Sequence, residues 1–99
     1  MPPRLLVFDT ESGKQVASAE LAGNSDDLFY DAGKGRVYVL TQMGFLEVCQ
    51  EKDPDHYDRI ARYPTPPGTG TGLFVPEMGK LFVAVRGEPN AEIRVYETK

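Results

Sequence analysis

The feature that most narrows the folds open to this chain is that it repeats itself. Residues 4–12 (RLLVFDTES), 44–52 (GFLEVCQEK) and 92–99 (EIRVYETK) each carry an aliphatic residue, a variable one and Val in that order: Leu5-Leu6-Val7, Leu46-Glu47-Val48 and Ile93-Arg94-Val95. An aromatic residue or Cys follows in each: Phe8, Cys49 and Tyr96. The three Val are separated by 41 and 47 residues. Other stretches recur in step. Residues 23–29 (GNSDDLF) match 68–74 (GTGTGLF) without gaps, residues 35–39 (GRVYV) match 79–83 (GKLFV), and Val16-Ala17 matches Ile60-Ala61. A period of roughly 40–45 residues fits one four-stranded unit per repeat.

The local signals are those of strands. Short runs rich in Val, Tyr, Phe and Leu are broken every few residues by Gly, Pro, Asn or Asp. Ten Gly and eight Pro leave little room for a long helix. Nine strands are expected, at 4–9, 15–21, 28–30, 36–41, 45–50, 57–63, 73–75, 81–86 and 92–97. Gly13 suits a positive-φ turn position in the first hairpin. A polar loop over 23–26, an acidic loop over 51–58 and a Pro- and Gly-rich loop over 64–72 complete the pattern. Sequential strands joined by tight turns read as antiparallel meanders.

With the strands of one repeat lettered A to D, the chain reads C-D over 4–21, A-B-C-D over 28–63 and A-B-C over 73–97. The expected fold class is therefore all-β: antiparallel four-stranded β-propeller blades, one complete blade flanked by two partial ones. The strand Gly35-Arg36-Val37-Tyr38-Val39 and the turn from Val7-Phe8-Asp9-Thr10 to Gly13-Lys14 carry a likeness. So does the run from Leu73-Phe74-Val75-Pro76 to Lys80-Leu81-Phe82-Val83-Ala84-Val85. On these the chain resembles the YVTN family of bacterial β-propeller repeats over nearly its whole length, about two and a quarter blades. The resemblance implies a repeat module of a bacterial propeller, often exported to the periplasm or beyond. Two departures stand out: the second hairpin lacks the Gly-Lys turn, and the third copy has no strand D.

Composition limits the partners. Hydrophobic residues at 40% and charged residues at 26% are those of a globular chain rather than a disordered one. The net charge is −4, and Lys and Arg are scattered singly, so neither nucleic acid nor an anionic membrane is an expected partner. No apolar run approaches the ~20 residues of a membrane helix. The one cysteine, Cys49, reads as a small buried apolar side chain. Two or so blades in a row leave apolar faces open at both ends, so self-association through blade edges and faces is expected. Alternating residues such as Leu5, Val7, Val37, Val39, Val83 and Val85 are expected to face neighbouring blades.

Site chemistry is sparse. The expectation is no catalytic residue, no metal and no cofactor. His56 lies among Asp53, Asp55 and Asp58, but it is the only His and no Cys cluster joins it, so a zinc site has little support. The same carboxylates do not have EF-hand spacing. The glycine-rich stretch 68–72 leads into an apparent strand, not into the helix a phosphate cradle needs. The candidate ligand loop is Asn24, Ser25, Asp26 and Asp27, because such connections line the channel mouth of a propeller. Three functions compete: a non-catalytic scaffold or interaction module, a piece of a lactonase-like propeller hydrolase with a ligand or metal at that mouth, and a piece without a function of its own.

Overall fold

In a computed structural model, residues 3–87 and 90–98 are described. They form nine strands: β1 (Arg4–Phe8), β2 (Gln15–Glu20), β3 (Ser25–Asp31), β4 (Arg36–Thr41), β5 (Phe45–Asp53), β6 (His56–Pro64), β7 (Thr71–Val75), β8 (Lys80–Val85) and β9 (Glu92–Glu97). Each strand pairs antiparallel with its chain neighbour inside one of three sheets. Sheet I is β1-β2, sheet II is β3-β4-β5-β6, and sheet III is β7-β8-β9. The protein is thus all-β, with antiparallel sheets of two, four and three strands, and among the described residues no strand pairing joins one sheet to another.

Period-two alternation explains how the sheets meet. Along β4, Val37 and Val39 point to one side and Tyr38 and Leu40 to the other. Val37 and Val39 join Cys49 of β5 in a core with Leu5 and Ala19 of sheet I. Tyr38 and Leu40 join Leu46 and Val48 in a second core with Leu81, Val83 and Val85 of sheet III. Sheet II is therefore the middle layer, and β4 contributes alternate side chains to both interfaces. The rings of Tyr38 and Phe74 meet at 5.4 Å between centroids, tilted by 45°. Gly72 lets β7 come close to sheet II: an added Cβ would lie 2.8 Å from the Phe82 carbonyl oxygen and 3.1 Å from Leu40 Cδ1.

Several boundaries differ from the sequence expectation. The third strand begins at Ser25, not Leu28, so Ser25, Asp26 and Asp27 lie on a strand. The acidic segment 51–58 is not a long loop. β5 and β6 extend to Asp53 and from His56, which pair across a tight turn. The turn is held by the Asp55 N–H, which donates to Asp53 Oδ1 at 2.8 Å, the local bond that makes Asp a turn former. β7 begins at Thr71, and a three-residue 3-10 turn, Pro76–Met78, replaces an irregular connection. Gly13 has φ of +73°, as its turn position requires.

The pairing also corrects the gap-free match of 23–29 with 68–74. Phe29 stands opposite Tyr38, whereas Leu73 stands opposite Phe82, the residue matched to Tyr38. Phe29, not Leu28, is therefore the counterpart of Leu73. The connections that follow are equal in length, residues 32–35 and 76–79, so the extra residue lies within β3, at the bulge between Ser25 and Asp27 that the β7–β8 pairing lacks. A one-residue slip exchanges the faces of a strand, so this correction decides which residues enter the core.

Candidate functional site

The predicted ligand loop is split between a bend and a strand. Asn24 is exposed before β3, and its carbonyl accepts the Gln42 N–H at 3.1 Å. Ser25 pairs with Thr41 and Asp27 with Leu40, which leaves Asp26 as an extra residue in a β-bulge. Bulges re-aim side chains. Here the Asp26 carboxylate accepts from Gln42 Nε2 at 2.7 Å. It also lies against Gly70, where an added Cβ would sit 2.7 Å from Asp26 Cβ. The Asp27 carboxylate turns back to accept the Leu28 N–H at 3.0 Å. Asp26 thus meets the 68–72 stretch, while Ser25 and Asp27 are absorbed by the sheet.

Asp26, Gly68, Gly70, Thr71 and Arg86 border a cavity of about 290 Å3 beside β7 and β8. One carboxylate and one guanidinium give this cavity both signs of charge. Thr69 is buried nearby, and its hydroxyl has no partner among the described residues. The 68–72 stretch leads into β7, so no helix N-terminus converges on the cavity. Among the described residues, no group of three or more His, Cys, Asp or Glu side chains is placed to hold a metal.

His56 stands at the far end of the β5–β6 hairpin. Its Nδ1 lies 2.7 and 2.8 Å from the two Asp53 carboxylate oxygens. The bond and charge of Asp53 raise the His56 pKa, and the His56 bond lowers that of Asp53. Both side chains are exposed, so the pair is a solvated ion pair on a turn, with little leverage on stability.

The most enclosed charge was not singled out by sequence reasoning. Glu47 on β5 is fully buried between sheets I and II. Its Oε1 accepts from Arg62 Nε at 2.7 Å and from Arg59 Nη1 at 3.4 Å. Its Oε2 accepts the Ala22 N–H at 2.5 Å, just after sheet I ends. A buried carboxylate persists only when paired and hydrogen-bonded in this way. The cluster ties the I-to-II connection to β6. A charged residue between Leu46 and Val48, with two Arg on the next strand, was the available signal. Cys49 lies beside it, fully buried. Burial, with a smaller push from the Glu47 charge, drives its thiol up to about 11, so it is not a nucleophile at neutral pH.

The remaining distinctive surface is apolar. On sheet III, Leu73, Phe82, Ala84, Ile93 and Val95 share the face turned away from sheet II. Ile93 is 71% exposed, Leu73 61% and Val95 51%. On sheet I, Leu6 and Phe8 alternate with the inward Leu5 and Val7 and are 46% and 53% exposed, Phe8 also bordering a cavity with Glu51 and Tyr57 at the end of the β5–β6 hairpin. A scan of protein-family models and searches of curated proteins and of solved structures matched nothing.

Proposed function

We propose that this chain is a partial β-propeller unit, a non-catalytic scaffold that works by associating with further blades. One observation carries the reading. Three sequential antiparallel sheets stack face on face, and equivalent positions of the sequence repeat take equivalent places in them. Leu46 and Val48 correspond to Ile93 and Val95; the first pair lies in a core and the second on an open face. A face that is buried at one repeat and bare at the next is what a run of blades leaves at its end. The likeness to exported bacterial YVTN repeats supports the same reading, and a bacterial, exported setting is part of the proposal.

Sedimentation over a wide concentration range tests it. The expected result is a mass that rises with concentration; a well-folded monomer at every concentration would sink the scaffold reading.

The cavity at Asp26 and Arg86 favours a second reading, a ligand-binding piece of a propeller hydrolase. Calorimetric titration with calcium or manganese separates the two. Heat that disappears in Asp26→Asn favours the hydrolase piece, and a flat titration favours the scaffold.

A further inference from the structure

We propose that copies of this chain associate head to tail, the open face of sheet III on one copy being covered by the open face of sheet I on the next. The inference rests on the blade reading and adds which surfaces meet and in what sense. The chain already contains the interface that such contacts would continue. Between sheets II and III, the forward face of sheet II (Tyr38, Leu40, Leu46, Val48) is covered by the backward face of sheet III. The forward face of sheet III presents the register equivalents of those four residues: Phe82, Ala84, Ile93 and Val95. The backward face of sheet I presents Leu6 and Phe8, which the repeat matches to Arg94 and Tyr96 on the backward face of sheet III. Both halves of the next interface are therefore present, bare, on opposite ends of one molecule.

Two alternatives fit less well. Pairing through the unpaired edge of β9 is opposed by its composition, because Glu92, Arg94 and Glu97 are half of that strand, and charged edges resist strand addition. Packing two sheet III faces together would set forward on forward, unlike either internal interface. A head-to-tail contact leaves a free face at each end, so it propagates into a ring or an open filament.

Two double variants make the test. Ile93→Glu with Val95→Glu blocks the sheet III face; Leu6→Glu with Phe8→Glu blocks the sheet I face. Wild type is expected to grow in sedimentation mass with concentration, and each variant alone to stay monomeric. Their equimolar mixture is expected to double its mass and stop, because each supplies the face the other lacks. A dimer of the sheet I variant alone, or a mixture that stays monomeric while wild type associates, overturns the head-to-tail contact. Thiol labelling of Cys49 runs in parallel on wild type. If wild type associates but the face variants still associate like it, only the head-to-tail contact fails; the scaffold reading fails as well if wild type stays monomeric with Cys49 protected. If Cys49 labels as fast as in the unfolded chain, sheet I does not cover sheet II, and the blade reading falls with it.

Discussion

The two interfaces of sheet II are incomplete in opposite ways. Sheet I offers β1 and β2, and β2 packs beside β6 at the outer side of the stack. Nothing among the described residues stands over β3 on that side, so Leu28 and Tyr30 remain 47% and 50% exposed. Sheet III does the reverse. Its β7 meets β3 at the inner side, but among the described residues it has no fourth strand to stand over β6. There Tyr63 is 48% exposed. It borders a cavity of about 240 Å3 with Tyr38, Tyr96 and Thr98. The first interface lacks its inner half and the second its outer half. Exposed apolar residues on a single sheet are thus explained by which strands the neighbouring sheet has.

The interfaces also differ in chemistry. The second joins a larger apolar set to the buried Tyr38 hydroxyl, whereas the first mixes a smaller apolar set with the Glu47 cluster. Adjacent residues of β4 break this comparison most sharply. Leu40→Ala empties the second core and is expected to cost about 2–5 kcal/mol, read from denaturant unfolding. Val39→Ala in the first core is expected to cost less, about 1.5–3 kcal/mol at most. Equal losses would contradict the ranking. Glu47→Ala leaves the Ala22 N–H without its acceptor and is expected to cost about 1.5–3 kcal/mol. Glu47→Gln, which keeps an acceptor, is expected to recover part of that loss in the same measurement.

Most of the strand order was legible because the repeat supplied it, and hydrophobic alternation named Leu5, Val37, Val39, Val83 and Val85 of the core; Tyr38, Leu40, Leu46 and Val48 were not named, because the middle sheet buries both faces. The parts that were not legible have local causes. Ser25, Asp26 and Asp27 are turn formers by composition, yet pairing with β4 draws them into a strand. Asp53-Pro54-Asp55-His56 looked like a loop because its residues are polar, while the ladder continues to the turn itself. The face of β3 depended on one extra residue at the Asp26 bulge, which sequence similarity alone absorbed without a gap. Of the candidate ligand loop, Asp26 reaches the cavity beside β7 and β8, through a bulge that nothing in its neighbours announces, while Asn24 borders a separate cavity of about 230 Å3 with Gln42 and Met43.

Cys49 sharpens the comparison kinetically. It sits in the first interface, buried and with its thiol held near 11. Labelling by a thiol reagent at neutral pH is expected only through opening of sheet I. That opening is expected to be more frequent than exchange of the β8 amides in the second interface. Slower labelling than β8 exchange would reverse the order of the two interfaces.

The smallest effect belongs to the exposed turn. His56 has a raised pKa, so its contribution is full below its unfolded value and is lost as pH rises through the folded one. Asp53 has a lowered pKa, so its contribution is present above its unfolded value and is lost as pH falls through the folded one. The pair therefore helps most in mildly acidic to neutral solution. In Asp53→Asn the NMR titration midpoint of His56 is expected to fall toward its ordinary value, with almost no change in Tm.

The central claim is that β4 lies between two sheets and serves both. Methyl contacts measured by NMR test it most directly. Val39 is expected to show contacts with Leu5 and Ala19 and, in the same sample, Leu40 to show contacts with Leu81 and Val83. Absence of either set, or an exchange of partners between Val39 and Leu40, would contradict it.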